Sequence, residues 1–542
     1  MIKPFFLFNK ISITSLYLGG IMVLIFSCSP KKNQNRDHLV FRFNQHKNIG
    51  SLDPAFAKDL ADIWATNQLF NGLVQMDDAL NVTPAIANTW DISEDAMTYT
   101  FHLNTQVKFH KHALFGKEAT RTVKARDFVY SFNRLLDKKL ASPGSWVLHK
   151  VDNFKAINDS TFQIQLKQPF PAFLSLLSMK YCSVVPQEIV KHYGEAFRSH
   201  PIGTGPFKFK LWEENIKLVF RKNENYFERD TSGIPLPYLE AVAITFLPDK
   251  QSEFSQFIQG NLDFLNSLDV SYKDELLTAD GRLRTKYKDA INMIRGPYLN
   301  TEYLAFYMES EHPEIQSKLL RKAVNYGFDR VKMMTYLRNG IGIPAHGGFI
   351  PKGLPGYDDT IGFDYNPEKA KAFIKQYKQE TGILNPSITL STTNNYLSLC
   401  EYIQRELQKT GLDIRINVIP ASALKAAKAN GKLDFFRASW IADYPDAENY
   451  LSLFYSKNFA PKGPNYTHFS EPLFDTLYEQ AFTETEIKKR EALYAQMDAL
   501  IMKNTPIVPL FYDEVVRFSQ KNISGLGLNP TNLLELKYVK KQ

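Results

Sequence analysis

Between Ser387 and Ser439 the apolar spacing of the chain alternates between a strand's and a helix's, and few folds can satisfy that pattern. Ser387–Thr393 alternates apolar and polar residues as a half-buried strand does. Leu397–Thr410 then sets Leu399, Ile403 and Leu407 on one helical face, with Gly411 as its stop. Asp413–Ile419 alternates again through Ile414, Ile416 and Val418. A helix rich in Ala and Lys over Ala421–Ala429 ends at Asn430-Gly431, and Leu433–Ser439 closes the unit. Strand–helix–strand–helix–strand folds with right-handed crossovers and parallel strands. Ligands of such sheets sit beyond the carboxyl ends of the strands, which here are Thr392–Asn395 and Trp440–Asp443, on one rim.

The second of those ends lies in LDFFRASWIADYPDAENYLSLF, residues 433–454. A run so apolar and aromatic seldom carries an unpaired charge, because an ionised group taken out of water needs a partner. Arg437 and Asp443 therefore require an explanation. Either they satisfy each other or a neighbour as structural ion pairs, or they await a molecule with two charged ends, such as a peptide.

At 542 residues the chain exceeds a single core and should divide into two to four lobes. Its 65 basic and 57 acidic residues are interspersed without a basic block, which argues against nucleic acid as a partner. Catalytic signatures are missing: there is no GxSxG elbow, HExxH helix, Walker loop or CxxC pair. His110 and His112 would point the same way on a strand, near His102, but no carboxylate or cysteine completes a metal shell except Glu118 in a loop. No metal, cofactor or enzyme activity is expected. Cys182 and Cys400 read as buried thiols, not as a disulfide framework.

The N-terminus reads as an export signal. Lys3 and Lys10 precede the apolar stretch Ile11–Phe26, which is short and interrupted for a membrane span. It ends Leu24-Ile25-Phe26-Ser27-Cys28, which resembles the lipobox of bacterial lipoproteins and would make Cys28 the lipidated first residue of the mature chain. An ordinary secretory signal or an uncleaved anchor is the other reading. Ser29–His38 has the polar, unpatterned character of a tether.

Further motifs accumulate in order: SLDP from Ser51, FNGLVQ from Phe70, KARDFVYSFNRLLD from Lys124, IGTGPFKFKLW from Ile202, LLRKAVNYGFDR from Leu319, GIGIPAHGGFIP from Gly340 and SWIADYPDAENY from Ser439. Together they resemble family 5 of the extracellular solute-binding proteins, the oligopeptide and dipeptide receptors of ABC importers, over about residues 40–540. The resemblance implies an α/β protein with two lobes, periplasmic-binding-protein-like (class II, cluster C type), with an inserted subdomain and a hinged cleft. It implies a signal peptide over 1–27 and a tether over 28–39. Lobe I would comprise 40–70, 196–295 and 508–542, the inserted subdomain 71–195, and lobe II 296–507. A monomer, lipid-anchored outside the cytoplasm in the periplasm or on the cell surface, would hand peptides to a membrane permease.

The resemblance also implies residue roles. Asp443 matches the aspartate that takes the peptide amine, and Arg437 an arginine used for its carboxylate. Ser439, Trp440 and Ile441 would pair with the peptide backbone on one side, and Lys58, Asp59 and Leu60 on the other. Trp440, Tyr444, Asn394 and Asn395 would wall the side-chain pockets. Dipeptide receptors of the family carry their carboxylate arginine in the loop after the first strand of the unit, where this chain has Thr392, Thr393, Asn394 and Asn395. With Arg437 present, ligands of three or more residues are expected. A metal chelate, haem or an oligosaccharide is the alternative cargo, and an exported hydrolase the more distant one.

Overall fold

The computed structural model describes residues 39–267, 269 and 272–542. The signal segment and Cys28 lie outside them. An eleven-stranded sheet forms the frame. From one edge its strands are Asp413–Val418, Ser387–Thr392, Phe435–Ile441, Ile291–Phe306, Ile507–Gln520, Phe264–Asn266, Val40–Asn44, Ala241–Thr245, Lys217–Lys222 and Phe207–Glu213; Ile343–Pro344 adds to Ile507–Gln520.

The unit read from periodicity occupies the first edge. Ser387–Thr392 runs parallel to both Asp413–Val418 and Phe435–Ile441, with helices Leu397–Gln408 and Ala421–Ala429 between them. Leu399, Ile403 and Leu407 are buried, as their spacing predicts, in a core with Ile388, Leu390, Ile414 and Phe435.

Two long strands hold the halves together. Ile291–Phe306 and Ile507–Gln520 pair antiparallel and cross from one half of the sheet to the other. Their ladder shifts register twice, between Pro297↔Glu514 and Thr301↔Tyr512 and again between Glu302↔Phe511 and Tyr303↔Pro509; at the first shift Tyr298, Leu299 and Asn300 oppose Asp513 alone. Such a bulge bends the strand and re-aims side chains, and this one turns Asn300 and Asp513 toward each other. The lobe boundary expected at residues 295/296 falls inside the first of these strands.

A four-stranded antiparallel sheet (Ala87–Ile92, Thr98–Leu103, Thr161–Leu166, Val151–Ala156) has its own core around Phe101, Phe128, Phe132 and Phe162. Helix Ala125–Leu136 covers it, with Asp127 accepting the Lys124 amide at its N-terminus. The chain returns from this subdomain through Gly203-Thr204-Gly205. A Cβ at Gly203 would lie 2.1 Å from the Leu69 carbonyl oxygen, and one at Gly205 2.4 Å from the Leu69 carbonyl carbon. The turn is thus a close backbone approach and not a phosphate loop. The C-terminal segment is tied back to helix Leu60–Leu69, where Trp64 Nε1 donates to the Asn532 carbonyl and Asn67 and Gln68 to that of Leu534.

Candidate functional site

The two charges singled out by sequence fall on one rim, six residues apart, in opposite circumstances. Phe435–Ile441 pairs along its length with Ile291–Phe306 but meets Ser387–Thr392 only at Phe435 and Phe436. Among the described residues, its edge from Ala438 to Ile441 has no strand beside it. Those backbone groups form a template for an added strand.

At the Arg437 end, register places Leu304 opposite Arg437 and Glu302 opposite Ser439, so Arg437 and Glu302 are diagonal neighbours on one face. Arg437 Nη2 donates to Glu302 Oε2, with the two side chains 12% and 4% exposed. Tyr396 lies over the guanidinium, its ring centroid 3.4 Å from Cζ. Asn300 Nδ2 bridges Glu302 Oε1 at 3.2 Å and Asp513 Oδ2 at 3.4 Å, and Asp513 Oδ1 accepts from Arg338 at 2.6 Å. Arg338 and Asp513 also line a cavity of about 240 Å³ beside the crossing strands, with Tyr298 and Ile341. Burial, the largest effect, leaves the Glu302 carboxyl raised even though Arg437 pulls it down. Arg437 and Arg338 are thus each matched by a carboxylate on this side.

At the Asp443 end no such partner exists. Asn449 Oδ1 accepts from Trp440 Nε1 at 2.9 Å and from the Asp443 amide at 3.1 Å, which fixes the turn after the strand. The carboxylate itself is open to solvent, yet protein crowds it enough that lost hydration raises its pKa, against a hydrogen bond from Asn449. Among the described residues no cation offsets it. Tyr181, at the other wall, feels the charges of Asp443, Asp59 and Asp62, and burial is the first cause of its rise to about 12. Asp443 is therefore an exposed carboxylate within electrostatic range of Tyr181, which also senses Asp59 just before helix Leu60–Leu69.

Several expected roles change. Arg437 is not left without a counter-charge; Glu302, 135 residues away in sequence, supplies one. Leu60 is the first residue of helix Leu60–Leu69, so it cannot extend a strand, whereas Lys58 and Asp59 are exposed and Asp59 is extended at φ −98°, ψ 151°. Tyr444 is buried, with its hydroxyl on Glu448 and its ring centroid 6.4 Å from those of Trp146 and Phe170. It packs, with the stacked pair Phe170 and Phe482 at 5.1 Å, into the core around the four-stranded sheet and is not an open pocket wall. Trp440 is half-buried, and Asn394 and Asn395 are exposed on the turn after Thr392.

The histidines do not converge. His110 Nε2 meets the Gly205 carbonyl at 3.0 Å, His112 Nε2 the Tyr193 hydroxyl at 3.0 Å, and His102 Nε2 Asp91 at 2.8 Å. Glu302, Tyr396, Asn300, Asp513 and Arg338 were not anticipated. The one available signal was Glu302, a lone acid in the apolar run Tyr298–Phe306, where the argument that singled out Arg437 applies equally.

Comparison with known proteins agrees with this architecture. Residues 81–462 match the family described as bacterial extracellular solute-binding proteins, family 5 Middle. A dipeptide-binding protein of Escherichia coli is 25% identical over 492 residues, 85% of this chain and 87% of the relative. Heme-binding protein A of Haemophilus influenzae is 28% identical over 476 residues, 82% of each chain. The structure of the ABC transporter-associated periplasmic binding protein DppA from Helicobacter pylori, in complex with the peptide STSA, superposes with a TM-score of 0.74 at 25% identity. It covers 93% of this chain and 98% of that one.

Proposed function

The chain belongs to the bacterial extracellular solute-binding proteins of family 5, and we propose that it is the substrate-binding receptor of an ABC importer, capturing short peptides by their free amine. The observation that carries this reading is Asp443, an exposed carboxylate with no cation to offset it among the described residues. A peptide ammonium supplies the missing charge through a charge-assisted hydrogen bond.

The remaining geometry fits a strand-like ligand. The bare edge of Ala438–Ile441 offers backbone groups for about three ligand residues, and exposed, extended Lys58 and Asp59 offer a second side. That length favours peptides of three or more residues. Trp440, Asn394 and Asn395 flank the path. Closure would bend the crossing strands at their irregularity, Pro297–Thr301, moving lobe II against lobe I. Among the described residues no helix is long and apolar enough to cross a membrane. Attachment outside the cytoplasm is assigned to lipidated Cys28, and delivery to a permease in that membrane. No catalytic role is proposed, and a haem, metal-chelate or oligosaccharide cargo is the alternative.

The test is titration calorimetry of ligand-free protein with a defined series from dipeptides to pentapeptides, with mass spectrometry of any ligand that co-purifies. Stoichiometric binding of a free-amine peptide without product formation is expected. Co-purified haem or sugar, with no peptide bound, would reject the reading.

A further inference from the structure

The Arg437–Glu302 pair carries no net charge, while the guanidinium keeps donors that Glu302 does not use. Its Nη2 serves Glu302, Tyr396 covers a guanidinium face, and its Nε is buried with no acceptor. No second cation contacts Glu302 among the described residues. Glu302 is further held by Asn300 at 3.2 Å, with the Tyr396 hydroxyl at 3.5 Å. Beyond Asn300, Asp513 is matched by Arg338. The field of Lys428 reaches both Arg437 and Glu302, but its ammonium stacks on Tyr466 at 4.5 Å from the ring centroid. Tyr298 and Tyr303 also feel Glu302, and their phenols are raised by burial and stay neutral.

We infer that Glu302 sets the charge of the ligand end that reaches this rim: it withholds Arg437 from a free carboxylate and leaves a donor suited to a neutral carbonyl. A carboxylate arriving there would put two anions on one guanidinium in a water-poor site, where like charges 3–4 Å apart strongly disfavour joint ionisation. A carbonyl or carboxamide oxygen accepts from Arg437 without that conflict. With Asp443 unmatched at the other end, the cleft as built suits a ligand that is cationic at one end and uncharged at the other. Peptide amides fit this description, as do peptides whose carboxylate extends past Arg437 to solvent. Glu302 acts through Arg437 and is a positioning residue. The inference rests on the peptide-receptor reading above.

The probes are trialanine and trialanine amide, titrated calorimetrically into ligand-free protein at pH 7. In the wild type the amide should bind at least tenfold more tightly. Glu302→Gln, which keeps an oxygen for Arg437 and removes the charge, should strengthen trialanine about tenfold and change the amide less than threefold. A merely structural role for Glu302 would weaken both probes alike. If Glu302→Gln does not fold, Glu302→Gln/Arg437→Gln removes both charges together and should bind the two probes within threefold of each other. Trialanine binding the wild type as tightly as its amide would overturn the inference and leave the receptor reading intact. Binding of neither probe or of any other short peptide would instead overturn the receptor reading.

Discussion

Asp443 and Arg437 share one rim and one stretch of sequence, yet the protein treats them oppositely. Arg437 lies within the strand, where cross-strand register brings Glu302 alongside and Tyr396 folds over it. Asp443 lies just past the strand end, where the chain leaves the ladder within electrostatic range of Tyr181. A charge inside the sheet must be satisfied by the fold itself, because no ligand is present while the sheet assembles. A charge beyond the last ladder bond can remain hydrated until a ligand arrives. Arg437 is therefore matched by the fold, and Asp443 is the charge proposed to serve binding.

The largest expected effect separates the two as stability against affinity. Arg437→Met leaves Glu302 buried and uncompensated and should cost about 3–5 kcal/mol of unfolding free energy, read by urea denaturation. Asp443→Ala should leave unfolding within about 0.5 kcal/mol of wild type, as surface substitutions do. The same Asp443→Ala variant should lose about 2–5 kcal/mol of affinity for a free-amine tripeptide, measured by calorimetry. Equal stability losses at both positions would break the comparison.

A smaller effect sharpens the Arg437 side. Tyr396→Leu removes the ring from the guanidinium and should cost about 0.5–2 kcal/mol of stability, with the amine end untouched; N-acetylated and free peptides should keep their affinity ratio.

The smallest effect concerns pH. The folded-state pKa of Asp443 is raised above 3.8, so folding favours its protonated form. That contribution is full below 3.8 and lost as pH rises through the folded value. Asp443→Asn should therefore melt at the same temperature as wild type or slightly higher at pH 7. Any difference should shrink as pH falls below 3.8. Peptide affinity in the wild type should fall over the same acid range, because protonation removes the charge that holds the amine. A variant that melts below the wild type at pH 7, with the gap closing at pH 3, would contradict the assignment of Asp443 as unpartnered.

What could be read from sequence follows the same division. The strand–helix–strand–helix–strand unit was legible because each element carries its own period, and Leu399, Ile403 and Leu407 are buried as that period requires. Asp443 was legible as a charge without a local reason. The neutralisation of Arg437 was not, because its partner lies in another strand and only the register of Ile291–Phe306 brings it near. Tyr444 differs for a related reason: an aromatic beside an unmatched aspartate looks like a pocket wall until Trp146 and Phe170, from another part of the chain, pack against it. Leu60 cannot serve as a strand residue because the helix begins there, one residue after extended Asp59. Local periodicity gives elements; contacts between distant segments decide which charges stay free.

The central claim is that Asp443 waits for a ligand's ammonium, and a double-mutant cycle tests it most directly. Trialanine amide and its N-acetylated form should be titrated into wild type and Asp443→Asn. The account predicts that acetylation costs the wild type at least thirtyfold in affinity and the variant less than threefold. Wild-type protein that binds both forms equally well would contradict it.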